Sequence, residues 1–268
     1  MPYTQNKTNR PDAIKLYYET HGSGPPLVLI SGLAGDATIW IASLLALSRH
    51  FKVVIFDNRG IKRSDAPDIP YTIDMLADDV TYLMDELDIE SAHVMGLSMG
   101  GCIAQSLAIR YPHRVRKLII AASYARMSRQ AQWFLDAALS VYETGATAKQ
   151  MYYLVLPLLL SPGFIKTPQS LLLRVFGEQA SRQQPLYAFR RQYHAQRAFD
   201  SRGMLTQIKA STLVLAGEQD ALVPLSDTQE LVAGISECRL FAFPEAGHLI
   251  NIEQPKLFHA QVIGFLEE

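Results

Sequence analysis

Ser98 stands between two glycines in the run Gly96, Leu97, Ser98, Met99, Gly100. A serine hydroxyl is a poor nucleophile at neutral pH. It attacks a carbonyl only when an imidazole takes its proton and a carboxylate keeps that imidazole in the right tautomer. The surroundings suit such a role. Residues 92–95 form a short apolar run and residues 102–110 are compatible with a helix, so Ser98 is expected on a sharp strand-to-helix turn. So tight a turn leaves no room for a Cβ two residues before or after the serine, and it lifts the hydroxyl to the positive end of the following helix. Gly101 adds a further bare position where helix and sheet can approach.

The base and its carboxylate must come from sheet ends. Of seven histidines, only His248 follows the last predicted strand on a glycine-containing loop, after Pro244, Glu245, Ala246 and Gly247. His21, His50, His93, His113 and His259 read as turn, surface or helix residues, and His194 falls in a helical region whose role stays open. Asp220 follows the strand that ends at Ala216 and is the candidate carboxylate, with Glu218 its nearest competitor. The chain order serine, aspartate, histidine is that of the nucleophile-elbow architecture.

These positions require a particular set of elements. Residues 15–20 read as a strand and residues 21–26 as a turn. No helix follows the glycines of that turn, and no dinucleotide fingerprint or P-loop occurs in the chain. Residues 27–31 are continuously apolar, as in a parallel strand buried on both faces. A helix over 38–47, a strand over 52–56, a helix from the N-cap Thr72 to Leu87, the Ser98 strand and helix, and a strand over 117–122 follow. Such alternation requires right-handed crossovers and a parallel sheet with helices on both faces. From 124 to 204 it stops. Helical spacing recurs at 130–142, at 148–160 with an interruption at Pro157, at 169–179 and at 186–198. We therefore expect a discontinuous core, residues 1–123 and 205–268, with a helical cap over residues 124–204. The core resumes with strands at 212–216 and 239–243, a helix at 227–235 and a last helix from Pro255, a residue suited to the first helical position.

Composition narrows the function classes. The 268 residues carry a net charge of −1, with 19% charged and 49% hydrophobic residues. No basic excess favours nucleic acid, and the longest apolar run, residues 151–160, is about half a membrane span. Residues 1–11 lack the apolar core of a signal peptide, so a cytoplasmic protein with no membrane partner is expected. Its oligomeric state is left open between monomer and homodimer. Two cysteines, Cys102 and Cys238, make no disulfide framework, and Cys102 is expected to pack as a small apolar residue.

The chain resembles the α/β-hydrolase superfamily over nearly its whole length. The resemblance rests on residues 96–101, on 217–220, on Ala246, Gly247 and His248, on Asp57, Asn58, Arg59 and Gly60, and on Ser31, Gly32 and Leu33. Small serine esterases, 3-oxoadipate enol-lactonases and aminoacrylate hydrolases look most similar. The resemblance implies a mostly parallel eight-stranded sheet and an oxyanion hole made of the backbone N–H groups of Leu33 and Met99. It implies a hydrolase of a small ester or lactone that works through an acyl-enzyme, with no metal or cofactor. Two positions depart from the family pattern: Ser31 stands where a histidine is usual, and Lys62 where a second glycine often follows Arg59 and Gly60. The same architecture supports carbon–carbon bond hydrolysis of ring-fission diketones, and it also supports small-molecule receptors.

The cap suggests a substrate class. Residues 124–204 hold eight arginines and two lysines against two aspartates and two glutamates, a surplus of six positive charges. Over a cleft, that surplus would favour an anionic substrate. Arg190, Arg191 and His194 are the candidates to hold its charged end, and Trp133 and Tyr153 to line an apolar acyl pocket. A solvated cap surface and helix-to-helix packing are the competing readings.

Overall fold

Successive residues of the inner strands point to opposite faces of the sheet, and both faces are apolar. Leu27 and Leu29 pack in one buried cluster with Trp40, Leu47 and Phe258, while Val28 and Ile30 pack in another with Leu76, Leu83, Ile103 and Leu107. Burying each such side chain contributes about 1.5–3 kcal/mol. The computed structural model describes residues 3–7, 9, 13–180 and 184–268, without the side chains of 175–180. The leader reading of residues 1–11 therefore falls partly outside the described residues.

The sheet is built from β1 (Tyr18–His21), β2 (Pro26–Ile30), β3 (Lys52–Phe56), β4 (Ala92–Leu97), β5 (Val115–Ala121), β6 (Ser211–Gly217) and β7 (Cys238–Phe243). Their spatial order is β1-β3-β2-β4-β5-β6-β7. Only β1 runs antiparallel, against β3. The described residues thus carry seven strands where the resemblance implies eight. Tyr3 meets Tyr17 through a single antiparallel bridge, one ladder position and too few for another edge strand.

Helices α1 (Ile41–Leu47) and α11 (Pro255–Glu267) contact each other and supply the Leu47 and Phe258 side of the sheet. Helices α2 (Ile73–Glu86) and α3 (Met99–Arg110) pack together on the other side. Thr72 caps α2 by accepting the Met75 N–H, as its position in the sequence predicts. Between β5 and β6 run α4 (Arg129–Glu143), α5 (Ala148–Leu159), α6 (Pro162–Ile165), α7 (Pro168–Ala180) and α8 (Leu186–Ala198). Pro157 lies inside α5, and the helix ends only two residues later. The proline lacks the N–H that would bond Tyr153 O, and its ring crowds that carbonyl, which accords with the helix stopping so soon after it.

The excursion leaves and rejoins the sheet at one neck. Arg126 bridges Asp200, and the Ser201 N–H donates to Ala125 O at 3.0 Å. Gln105 of α3 ties both ends, donating to Tyr124 O and accepting from Ser201 Oγ. The helix that starts at Ser98 therefore also anchors the cap. After β6 come α9 (Leu225–Gly234) and, beyond β7, α10 (Ile250–Glu253).

Candidate active site

Ser98 ends β4 and opens α3 with φ 56° and ψ −120°, a left-handed conformation rare for a residue with a side chain. Its neighbours explain why it is tolerated. A Cβ on Gly96 would stand 2.0 Å from Gly100 O, and one on Gly100 would stand 2.1 Å from Ile30 O. The turn can close only because both positions are bare. Ser98 N donates to Ala121 O at 2.9 Å, and Ser98 O accepts from Ser123 Oγ at 2.8 Å and Gly101 N at 2.8 Å. The serine is 8% exposed. Cys102, one turn along, is fully buried, and burial pushes its thiol up to about 12, so it behaves as an apolar residue.

Asp220 and His248 meet across the loops that follow β6 and β7. His248 Nδ1 lies 2.7 Å from Asp220 Oδ2, with both side chains almost wholly buried. The other carboxylate oxygen accepts the Leu222 and Val223 N–H groups at 2.9 and 2.8 Å. A carboxylate held this way fixes the proton on Nδ1 and leaves Nε2 as the acceptor. The loops are locked together: Glu218 N donates to Phe243 O and Gln219 N to Ala246 O, and a Cβ on Gly217 would stand 2.1 Å from Gly247 O. Glu218, the competitor for the carboxylate position, points to solvent. Leu97, Leu249 and Ile250 share one buried cluster, which brings the segments carrying Ser98 and His248 to the same edge of the sheet. Ser98 Oγ and His248 are not hydrogen-bonded to each other among the described residues.

The loop after β2 lies against the serine. A Cβ on Gly32 would be 3.1 Å from Ser98 Cβ and 3.6 Å from its Oγ. Leu33 is next in the chain, and Met99 is the first residue of α3, so both N–H groups belong to segments flanking the hydroxyl. Ser31 is buried and braces this loop by donating to Asp36 O at 3.1 Å. Asn58 Nδ2 donates to Ser31 O at 3.0 Å, and Asp57 accepts from Ala37 N at 2.9 Å. Lys62 adopts φ 43°, a backbone state that favours glycine, and its ammonium pairs with Asp36 at 3.0 Å. Burial pushes the Asp36 carboxyl up, but hydrogen bonds from Thr38 and Lys62 outweigh it and hold the group below its ordinary value.

The five cap candidates do not gather into one pocket. Trp133 is 69% exposed. Arg190 pairs with Glu143 at 2.9 Å and Arg191 with Asp68 at 3.2 Å, so each charge already has a carboxylate beside it. His194 is exposed beside the Tyr193 ring, and Tyr153 packs at a tilt against Tyr152 under the Arg174 guanidinium. Gln192, which no sequence signal singles out, is a cap residue that reaches the core. It is fully buried on α8 and donates to Arg59 O at 2.7 Å. Its Oε1 accepts from Ala34 N, next to Leu33, at 3.4 Å. A glutamine in a polar stretch carries no local signal of that contact.

His93 also departs from its surface reading. It lies within β4, is 8% exposed and packs edge-on against Phe51. Among the described residues, no three His, Cys, Asp or Glu side chains gather as metal ligands, and no helix is long and apolar enough to cross a membrane.

A family model described as alpha/beta hydrolase fold matches residues 25–255. A putative carbamate hydrolase RutD from Azorhizobium caulinodans is 31% identical over 256 residues, 94% of this chain and 95% of the relative. The 3-oxoadipate enol-lactonase 2 of Acinetobacter baylyi is 32% identical over 251 residues, 93% of this chain and 92% of its own. The crystal structure of the enol-lactonase from Burkholderia xenovorans superposes with a TM-score of 0.90 at 28% identity, covering 100% of both chains.

Proposed function

Since the chain belongs to the alpha/beta hydrolase family, we propose that it hydrolyses a small-molecule carboxylic ester or lactone through an acyl-enzyme on Ser98. Ser98 Oγ attacks the carbonyl carbon while His248 Nε2 takes its proton. Asp220 holds the imidazole and stabilises its positive charge. The developing oxyanion lies against the N–H groups of Leu33 and Met99, donors that in such sites contribute roughly 3–4 kcal/mol each. His248 returns the proton to the leaving alcohol, which in a lactone remains part of the acyl group. It then takes a proton from water, whose oxygen attacks the acyl carbon, and gives that proton to Ser98 Oγ as the bond to the acyl group breaks and the acid leaves.

The observation that carries this reading is the conformation of Ser98. Holding a serine at φ 56° costs on the order of 1–3 kcal/mol, and two bare positions are kept beside it to allow this. A turn serving structure alone would be relieved by glycine at 98. The bonded pair of His248 and Asp220 supplies the base such a serine needs.

Carbamate hydrolysis, named for the RutD relatives, follows the same steps with nitrogen on the carbonyl. Anion selection is not assigned to Arg190 or Arg191, which already face Glu143 and Asp68.

The test is turnover of p-nitrophenyl butyrate, a simple lactone, a carbamate and a ring-fission diketone by the wild type, Ser98→Ala and Asp220→Asn. Ser98→Ala is expected to lose activity by about 10⁶-fold and fluorophosphonate labelling altogether. Asp220→Asn should lose about 10⁴-fold with unfolding behaviour unchanged. Activity surviving in Ser98→Ala overturns the mechanism. Diketone turnover above that of the esters replaces it with carbon–carbon bond hydrolysis, and labelling without sustained turnover replaces it with a receptor.

A further inference from the structure

Glu253 ends α10, five residues after His248, and its carboxylate collects donors from the cap and from the loop that carries the histidine. Ser161 Oγ donates to Oε2 at 2.5 Å, Ser161 N lies 3.2 and 3.3 Å from the two oxygens, and Gly247 N donates to Oε1 at 3.1 Å. Ser161 is the buried N-cap of α6, where its Oγ also accepts the Phe164 N–H and keeps one lone pair free, and Gly247 immediately precedes the histidine. Beside this bridge the His248 and Leu249 N–H groups both donate to Leu159 O at 3.1 Å, satisfying a carbonyl left open where α5 ends. The approach is close. A Cβ on Gly247 would stand 2.6 Å from Ser161 N.

We propose that Glu253 is a positioning residue: by bridging Ser161 and Gly247 it fixes the His248 loop to the cap and so sets where the imidazole stands over Ser98. The assignment rests on the serine-hydrolase reading above. Apolar contacts also cross this seam, where Leu156 and Leu160 share a buried cluster with Ala246, Leu249 and Ile250. A cavity of about 450 Å³ opens between the cap turn and the loops, lined by Pro157, Leu160, Pro162, Gln219, Ala221 and Glu245. Beside that opening, the bonds of Glu253 to Ser161 and Gly247 fix the register of the two segments. Burial raises the Glu253 carboxyl above its ordinary value, and the bonds from Ser161 and Gly247 pull the other way. All three donors need an acceptor oxygen, and only the Ser161 hydroxyl can turn round to accept. Glutamine at 253 therefore keeps the bridge: its carbonyl oxygen serves both N–H groups while its amide donates to Ser161 Oγ.

The experiment is steady-state kinetics with p-nitrophenyl butyrate on Glu253→Ala, Glu253→Gln, Ser161→Ala and Ser98→Ala, each checked for folding by thermal melting. An imidazole displaced by about 1 Å costs up to about a hundredfold. Glu253→Ala is expected to lower kcat ten- to a hundredfold with KM within about twofold, Ser161→Ala to lower kcat about fivefold, and Glu253→Gln to stay within about threefold of wild type. A purely structural role would lower the melting temperature and leave kcat of the folded enzyme unchanged, and that result overturns the proposal. So does a Glu253→Gln variant as impaired as the alanine. Should Glu253→Ala not fold, Ser161→Ala decides: kcat equal to wild type overturns the bridge. Loss of activity in Ser98→Ala together with full kcat in the bridge variants sinks this inference alone, whereas an active Ser98→Ala sinks the reading beneath it.

Discussion

His93 lies on β4 with a ring nitrogen, Nδ1, that is buried without a hydrogen-bond partner among the described residues. Burial, aided by the nearby charges of Arg116 and Lys117, lowers its pKa from 6.5 to about 4. The unfolded chain therefore binds this proton below about 6.5 while the folded chain refuses it until about 4, so stability falls as pH drops through that window. The loss approaches about 3 kcal/mol at its acid end. Urea unfolding of wild type and His93→Leu between about pH 7 and about pH 4.5 is expected to show a smaller acid loss in the variant. Equal slopes would place the acid sensitivity elsewhere. At this scale the sequence identified the type and spacing of Ser98, Asp220 and His248, and the Asp220–His248 contact follows from that choice. It did not reveal His93, because alternation along a strand buried on both faces gives no sign of which face is polar.

The loops at the carboxyl ends of the strands concentrate backbone strain. Ala34, Ser98, Ala122 and Glu245 all take positive φ, and they follow β2, β4, β5 and β7. Such residues persist only where surrounding structure over-determines them. The elbow is the tightest case, since a Cβ on Gly96 meets the Gly100 carbonyl at 2.0 Å and one on Gly100 meets the Ile30 carbonyl at 2.1 Å, backbone that cannot swing aside. Gly100→Ala is expected to destabilise by about 2–4 kcal/mol and to reduce turnover in the protein that still folds. Gly264→Ala, on α11 with nothing within 4 Å, is the matched control and should add up to about 1 kcal/mol through helix propensity. Chemical denaturation of both reads the difference, and equal midpoints would refute the steric account. The order of strands and helices was readable along the chain because each element has its own period and its own stop signal. The eighth strand came from resemblance rather than from the residues.

Across the whole molecule, the cap's surplus of positive charge is distributed rather than focused. Arg190, Arg191 and Arg197 face Glu143, Asp68 and Asp136, while Arg126 and Arg202 both face Asp200. Such partly exposed pairs contribute about 0–1 kcal/mol each; Asp136, Glu143 and Asp200 belong to the cap's own tally, so Asp68 alone lowers its surplus, by one charge. Replacing Arg190 and Arg191 together by glutamine is expected to leave KM for a carboxylate-bearing ester within about twofold and stability within about 1 kcal/mol. A tenfold rise in KM confined to the charged ester, and shrinking at high salt, would restore them as substrate ligands.

The residues alone determined what depends on neighbours in the chain: the bare positions around Ser98, the glycine loops carrying Asp220 and His248, and the alternation that builds a parallel sheet. Those are local backbone constraints, and spacing records them. The folded chain decided which distant groups meet. It set Asp68 against Arg191, Gln192 against the loop of Leu33, and Glu253 against Ser161, contacts between segments from 92 to 158 residues apart. Hydrogen bonds of that kind are made by side chains whose partners lie on other elements, and no periodicity within either segment encodes them.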